Sequence, residues 1–303
     1  LLEGFKNNSQ VWMSHGDTIN KLPIGSEKLA STEDVQNAAQ TYFSPNKTRI
    51  FITGKGSEIL EKIEGIEYNG KKLTVRYFDQ YGSETPRPDY SVSNDISAEG
   101  VINNYIKSIG GAEKLNSISS VEVKATANLQ GTVLEMYSLK NNQNQSLMTM
   151  TAMGMTLVKS VFNKYQGYNE VNGQRIPLTD EELEQAIINS ALFSELNFDF
   201  EIVELVGTSI VNDEKAYEIK VTDNKSVFYS AETGLKLKEF ESQEVEGNLI
   251  TSEIFYNEYE EVDGILMPKE INQVSASIPV PGGITFKSTS IKLNVKTSDS
   301  DFN

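Results

Sequence analysis

The sequence predicts an α+β protein whose largest part is an antiparallel β-sheet. From Val121 to Leu129, apolar residues alternate with polar ones, as expected for a strand with one buried and one solvated face. Comparable runs follow near 132–140, 146–152, 155–163, 217–221, 225–230, 235–240, 249–259, 265–278 and 284–295. Only two amphipathic helices accompany them. Consecutive strands with few helices favour a long antiparallel sheet that carries its helices on one face.

Residues 1–66 have a different, α/β pattern. Thr32 or the serine before it can cap a helix whose apolar stripe includes Val35, Ala39 and Tyr42. A short β-rich run covers Thr48–Thr53, and a second helix is predicted over Ser57–Glu64. Residues 67–97 then form a connector with a strand at Leu73–Asp79 and a polar, proline-containing linker.

Residues 98–303 form the larger predicted domain. Ser97 can cap its first helix, and Gly110-Gly111 can end that helix in the left-handed conformation that glycine favours. Thr179 and Glu182 have the spacing of a capping box and predict a second helix. The dipeptides Thr233-Gly234 and Asp263-Gly264 supply turn positions, and Pro268 is predicted to close a hairpin.

Three phrases in this domain occur in succession: VNDEKAYEIKV at Val211–Val221, SAETGLKLKEF at Ser230–Phe240 and YNEYEEVDGILMPKEI at Tyr256–Ile271. Together they resemble the final part of the periplasmic lipoprotein-carrier fold. The resemblance covers roughly two thirds of the chain. It implies a β half-barrel with helices on its concave face, and it says little about function because one fold hosts many functions.

The phrase TEDVQNAAQTYFSPNKTRIFITG at Thr32–Gly54 resembles the end of an insulinase/pitrilysin-type zinc peptidase domain. This resemblance implies that residues 1–66 are the C-terminal remnant of such a domain. The upstream peptidase domains would then be partners of this chain, and the chain would begin inside a longer protein. The inverted H-x-x-E-H zinc motif of that family is absent from the chain, so zinc is expected only upstream of Leu1.

Composition excludes several classes of function. The net charge of −16 opposes nucleic-acid binding, which depends on a basic surface that displaces counterions. The chain has no cysteine, so thiolate metal sites and cysteine nucleophiles are excluded. It has no apolar run of about 18 residues, so no transmembrane segment is predicted.

No catalytic or metal-ligating residue is predicted, and no cofactor is expected in this chain. His15 is the single histidine, and one imidazole cannot build a zinc site or a Ser-His pair without converging groups. Acidic pairs such as Glu260-Glu261 are numerous in a chain with 43 acidic residues, and a solvated face explains them. The glycines of TGKGS lack the spacing of a phosphate-binding loop.

The segment SLMTMTAMGMTLV at Ser146–Val158 provides the one candidate binding site. Its candidate residues are Met148, Met150, Met153, Met155 and Leu157. Methionine-lined surfaces adapt to varied apolar ligands, so these side chains could line a cavity for an acyl chain, lipid or peptide. The competing interpretation is a core under the helix at 180–192. Pro279–Gly283 is either a flap over that cavity or an ordinary hairpin loop.

These observations favour a non-catalytic C-terminal region of a bacterial envelope zinc metallopeptidase, whose half-barrel binds a hydrophobic ligand, a peptide or an envelope partner. The alternatives are a stand-alone periplasmic lipid or lipoprotein carrier and a purely structural accessory domain. Each of these implies a location in the bacterial periplasm or at the outer membrane.

Overall fold

A computed structural model describes residues 37, 50–54, 56–78, 82–245, 248–276 and 280–303. The chain divides into two compact units, residues 1–53 and 54–303. His15 and nearly all of the predicted helix that begins at Thr32 lie outside the described residues. Residues 50–53 form no strand, which corrects the predicted strand at Thr48–Thr53 over its described part. Ile50, Phe51 and Ile52 are exposed there, so burial of their side chains does not stabilise a strand.

The second unit contains four α-helices among its described residues. They are α1 at Gly56–Glu64, α2 at Ala98–Ser108, α3 at Ala112–Asn116 and α4 at Asp180–Ile188. Two 3₁₀ turns lie at Ser194–Asn197 and Asp299–Phe302. Ser97 caps α2 by accepting a hydrogen bond from the backbone N–H of Gly100, and Thr179 and Glu182 form the predicted capping box of α4.

Most of the described chain after α1 is β-strand. In chain order, the strands are β1 at Glu67–Tyr68, β2 at Lys71–Lys72, β3 at Tyr77–Phe78, β4 at Glu84–Thr85, β5 at Ser120–Leu129, β6 at Thr132–Asn141, β7 at Ser146–Ala152, β8 at Met155–Phe162, β9 at Gly167–Val171, β10 at Gln174–Pro177, β11 at Glu204–Val211, β12 at Glu214–Thr222, β13 at Lys225–Ser230, β14 at Lys236–Val245, β15 at Asn248–Val262, β16 at Ile265–Ser275 and β17 at Ile284–Leu293.

Thirteen of these strands form one antiparallel sheet, in the order β10-β9-β8-β7-β6-β5-β17-β16-β15-β14-β13-β12-β11. Neighbours in the sheet are consecutive in the chain except at the β5–β17 pair, where Val121 lies opposite Leu293. The pairing of β17 with β5 joins a six-stranded and a seven-stranded meander into a single sheet. The predicted fold class, an antiparallel sheet with a few helices on one face, is confirmed.

The sheet curves around α2, so that the face toward this helix is concave. Lys140 on β6 interacts electrostatically with Glu239 on β14 and Lys225 on β13. β6 and β14 are five steps apart in the sheet, which corresponds to about 24 Å in a flat sheet at the usual strand spacing. Charges at that separation would be screened from each other. Curvature brings the two strands to opposite sides of one interior.

The main core lies between α2 and the concave face. The buried side chains Ile102, Tyr105, Ile106 and Ile109 project from α2 and the residue that follows it. They belong to one cluster with sheet residues that include Val121, Ile219, Val227, Tyr229, Ile265 and Leu293. Because the large apolar residues of α2 are buried against the sheet, tertiary packing stabilises this helix, which is too short to be stable alone.

The C-terminal end of α2 contacts the β15–β16 hairpin through a close backbone approach. Gly110 adopts φ +138°, and a Cβ at this position would lie 3.0 Å from the carbonyl oxygen of Gly264. The backbone N–H of Leu266 donates to the carbonyl of Ile109 at 2.9 Å. The glycine predicted as a helix stop therefore also lets the helix end pack against a turn.

Several local predictions need correction. Over its described part, residues 73–78, the predicted strand at Leu73–Asp79 is reduced to Tyr77–Phe78, which pairs with Glu84–Thr85. Pro268 lies inside β16 opposite Tyr259, next to an irregular register, and does not close the hairpin. A proline is tolerated at such an irregularity because its missing N–H removes no regular ladder bond. Strands β9, β10 and β11 were not predicted.

Candidate ligand-binding face

The segment after α4 lies on the concave face and is attached there by a buried ion pair. The 3₁₀ turn Ser194–Asn197 carries Glu195, whose carboxylate lies 2.6 Å from the ammonium group of Lys236 on β14. Both side chains are at most 10% exposed. Leu192, Phe193 and Leu196 pack against the core around α2. Together with α2, this segment covers one end of the concave face.

Lys236 is the centre of a polar group that we call the charged cluster: Glu195, Lys236, Glu239, Tyr229 and Tyr256. Lys236 also contacts Glu239 at 2.8 Å. The hydroxyl of Tyr229 donates to Glu195 at 3.1 Å, and that of Tyr256 donates to Glu239 at 2.9 Å. Every charge in the cluster thus has a partner of the opposite sign or a hydrogen-bond donor, as buried charges require.

Electrostatics inside the cluster maintain its charged state. Burial alone would raise the pKa of Glu239, but Lys236 and Lys225 lower the pKa of that carboxyl to about 2. Burial would likewise lower the pKa of Lys236, yet Glu195 and its other neighbours hold this pKa well above the usual value for lysine. Burial raises the pKa of Tyr256 well above its usual value. At neutral pH the cluster therefore holds a lysinium between two carboxylates.

Lys140 lies beside the charged cluster on the same face. Its side chain is half-buried and forms no salt bridge within the part of the chain that the structure describes. Burial lowers the pKa of Lys140, Glu239 raises it, and Lys225 and Lys236 lower it further. Three lysines face two glutamates at this point, so the described residues leave one positive charge without a counterion.

Strands β6, β7 and β8 carry a polarity gradient along the concave face. Cross-strand partners and alternate residues share a face, so the register defines successive rows. The first row contains Lys140, Ser146 and Phe162, the second contains Ser138, Met148 and Ser160, the third contains Met136, Met150 and Val158, and the fourth pairs Leu134 with Ala152. Along β6 the face changes from cationic through hydroxyl-bearing to apolar.

The apolar end of this gradient belongs to what we call the apolar cluster. Its buried members are Ala125, Ala127, Leu134, Ala152, Ile284 and Phe286, and its half-buried members are Leu129, Met136, Met150, Leu157, Ile271 and Val280. Three of the buried members are alanines. Half of the cluster keeps some exposed apolar surface, which is the property expected of a binding surface rather than of a finished core.

The structure separates the five residues of the predicted methionine site. Met150 and Leu157 belong to the apolar cluster, and Met148 lies on the same face one row nearer to Lys140. Met153 lies in the β7–β8 turn and Met155 begins β8, and they are 80% and 64% exposed. Met153 has φ +50°, because it occupies the turn itself. The assignment of all five residues as ligand contacts stays a prediction.

The two interpretations of this segment, a ligand cavity and a core under the helix at 180–192, depend on what lies above it. α4 contacts β8, and none of its residues is buried. Val280, in the loop predicted as either flap or hairpin, packs against the apolar cluster. Residues 277–279 of that loop are outside the described ranges. A flap over the apolar end of the concave face and a core under α4 both stay predictions.

Sequence reasoning missed the residues that make the face amphipathic. Lys140 and Met136 lie on β6, Lys236 on β14 and Glu195 in a 3₁₀ turn. Lys140 is the residue before the last of β6 and alternates in phase with Leu134 and Met136, so this period of two was a usable signal for a cation on an apolar face. The pairing of Glu195 with Lys236 joins positions far apart in the chain and had no local signature.

The described residues offer no metal site and no membrane-spanning helix. They contain no group of three or more His, Cys, Asp or Glu side chains arranged to hold a metal ion. None of the helices described is long and apolar enough to cross a membrane.

Among solved structures, three similar chains come from bacteria. A DUF1329 family protein from Desulfovibrio piger is 13% identical with a TM-score of 0.44, covering 68% of this chain and 96% of that one. A LolA superfamily protein from Nitrosomonas europaea is 14% identical with a TM-score of 0.45, covering 69% and 98%. The Mycobacterium tuberculosis lipoprotein LppX is 10% identical with a TM-score of 0.28, covering 66% and 96%. Identities and TM-scores this low transfer no function.

Comparison with known protein families finds no matching family. Among curated proteins, GMP synthases match short stretches. The enzyme of Flavobacterium psychrophilum is 46% identical over 67 residues, which is 20% of this chain and 13% of the enzyme. That of Christiangramia forsetii is 41% identical over 80 residues, which is 24% of this chain and 16% of the enzyme. The chain spans less than a fifth of these relatives, too little to carry over their activity.

The resemblance to an insulinase/pitrilysin peptidase gains no support from these matches. The predicted zinc in an upstream region, the predicted upstream peptidase partners and the absence of enzyme activity in this chain are therefore still predictions.

Proposed function

We propose that residues 98–303 form a ligand-binding module of the bacterial cell envelope, which holds an elongated apolar group, such as an acyl chain, on its concave face. The observation that carries the proposal is the apolar cluster, where half-buried Met136, Met150 and Leu157 leave apolar surface open on a curved sheet. The envelope location rests on the resemblance of this region to periplasmic lipoprotein carriers.

The composition of the cluster suits a flexible apolar ligand. Methionine side chains are unbranched and polarizable and therefore adapt to a chain of variable shape. Ala125, Ala127 and Ala152 contribute only methyl groups to this cluster, beside the longer side chains of Met136 and Met150. Val280 packs against the same cluster from a loop and can shield a bound chain from water.

The second candidate, a structural accessory domain of a larger enzyme, is favoured by a different observation. Lys215 on β12 pairs with Asp89 at 3.0 Å and donates to the carbonyl of Ser91, which attaches the connector to the sheet. A domain that only supported upstream elements would need this attachment but no open apolar face.

Binding of N-phenylnaphthylamine, a neutral dye whose fluorescence rises in apolar surroundings, tests the proposal. We expect saturable binding to the full chain. Met150→Gln should weaken it by about tenfold, because an unpaired amide in an apolar site costs about 1–3 kcal/mol. Met155→Gln is the matched control, since the same change is made at an exposed position of the same hairpin.

Two results would contradict the proposal. The first is the absence of saturable binding by the folded chain, which would favour the accessory role. The second is equal dye affinity in Met150→Gln and Met155→Gln, which would place the dye elsewhere. Thermal unfolding of both variants shows whether a loss of binding comes from a loss of folding.

A further inference from the structure

We infer that the concave face selects amphiphiles with one acyl chain and one anionic head group, with the head group against Lys140 and the chain along the apolar cluster. This inference rests on the proposed function and specifies its ligand. It requires a cation that lacks a counterion and an apolar path that leads away from that cation. The path must also be as long as the acyl chain that it would hold.

The cation is Lys140. It is half-buried, and the charges that act on it are Glu239, Lys225 and Lys236. Both glutamates of the charged cluster already contact Lys236, and Glu239 also lies 3.4 Å from Lys225. Glu241, the cross-strand neighbour of Lys225, is exposed to solvent. A partly desolvated cation without a counterion is unfavourable, and an anionic group placed beside it would remove that penalty.

The path begins at the next row of the sheet. Ser138 and Ser160 flank Met148, so hydroxyl groups can donate to the oxygens of a carboxylate held by Lys140. Beyond them, Met136 and Met150 begin the apolar cluster. From Lys140 to Leu134 the strand covers about 20 Å at the usual rise per residue. This length matches an extended palmitoyl chain.

On the opposite face of the same strands, the apolar row of Leu139, Leu147 and Val161 packs in a cluster with the buried Phe302. Tyr137, Thr149 and Lys159 share a row there, and Glu135 pairs with Thr151. Lys124 on that face lies over the ring of Tyr137 and is exposed to solvent. It therefore provides a lysine on the neighbouring strand that should have no effect on binding at the concave face.

The experiment compares palmitate with hexadecanol, which has the same chain length and no charge, by displacement of N-phenylnaphthylamine at neutral pH. We expect the full chain to bind palmitate more tightly than hexadecanol. Lys140→Gln should weaken palmitate about tenfold or more, since a hydrogen bond to a charged group contributes about 1.5–3 kcal/mol, and should leave hexadecanol unchanged. Lys140→Arg and Lys124→Gln should keep the preference for palmitate.

Each result decides the inference. Equal affinity of the full chain for both ligands would overturn it and leave the proposed function in place. Unchanged palmitate binding in Lys140→Gln would overturn it as well, because the head group would then lie elsewhere. Failure of both ligands to displace the dye or to bind would overturn the proposed function together with the inference. Thermal unfolding of Lys140→Gln without ligand serves as the folding control, and removal of an unpaired charge should raise its Tm.

Discussion

Lys236 connects three parts of the molecule at the scale of a single residue. It joins β14 to the 3₁₀ turn through Glu195, and its ammonium lies 5.5 Å from the ring centroid of Tyr105 on α2. Cation–π contact and ion pairing together compensate the cost of burying this lysine. Lys236 therefore helps to attach the segment that covers one end of the concave face, together with the hydroxyl of Tyr229 and the apolar packing of that segment.

Replacement of Lys236 by methionine should destabilise the protein by about 3–5 kcal/mol, because the buried carboxylate of Glu195 loses its counterion and Glu239 keeps only Lys225. Urea unfolding measures the change in free energy of unfolding. Lys220→Met is the control, since Lys220 pairs with the fully exposed Asp223 and should cost less than about 1 kcal/mol. Equal small losses in both variants would show that the charged cluster contributes little to stability.

The pH dependence of stability should follow Glu239. Its folded pKa of about 2 lies below the ordinary value for glutamate, about 4.3. The stabilisation it contributes is therefore complete above about pH 4.3 and is lost as the pH falls toward 2. Urea unfolding between about pH 7 and pH 2.5 should show a steeper loss in the native chain than in Glu239→Gln. Parallel curves would contradict this assignment.

Gly110 lies where a helix end meets a turn, and a side chain has no room there. Gly110→Ala should destabilise the protein by about 1–3 kcal/mol, since the residue has a positive φ and its Cβ would meet the carbonyl of Gly264. Gly207→Ala is the control, because no heavy atom lies within 4 Å of a Cβ at that position. Comparable thermal unfolding of both variants would argue against the close approach.

At the scale of elements, sequence pattern was most successful where it is local. The strand β5 follows from its period of two, and the start of α4 follows from its capping box, since both signals involve neighbours along the chain. β9 and β10 were overlooked although Asn172-Gly173, between them, is a strong hairpin signal. β11 contains Gly207 and has an irregular register, so apolar and polar residues alternate only weakly along it and its sequence gives little strand signal.

The cap of α4 should determine the stability of that helix, which buries no side chain of its own. Thr179→Ala removes the capping box and should reduce amide hydrogen-exchange protection in α4 by about 1 kcal/mol. Protection of β7 and β8 should not change, and these strands serve as an internal reference. Unaltered exchange in α4 would show that tertiary contacts, not the cap, hold the helix.

At the scale of the whole molecule, the sequence predicted the class of fold but not the assembly of the site. Alternation identifies which residues share a face of one strand. It does not identify that β6 and β14 approach each other through sheet curvature, or that β5 pairs with β17. The predicted methionine site is therefore divided: Met150 and Leu157 reach the apolar cluster, whereas Met153 and Met155 are exposed at the turn.

The charged cluster and the apolar cluster divide the concave face between them. The first stabilises the covering segment and lies beside Lys140, whose charge it does not balance, and the second keeps half-buried apolar side chains open. Strong binding requires both apolar contact and a satisfied polar group at the same site. The two features together make the concave face, rather than the methionine segment alone, the functional unit.

Photo-crosslinking with a diazirine-labelled palmitate tests this central claim most directly. Peptide mapping by mass spectrometry should place the label on concave-face residues of β6, β7, β16 and β17, such as Met136, Met150, Ile271 and Phe286. An excess of unlabelled palmitate should remove the label. Labelling confined to exposed positions such as Val133 and Met155, or labelling that palmitate does not compete with, would contradict the account.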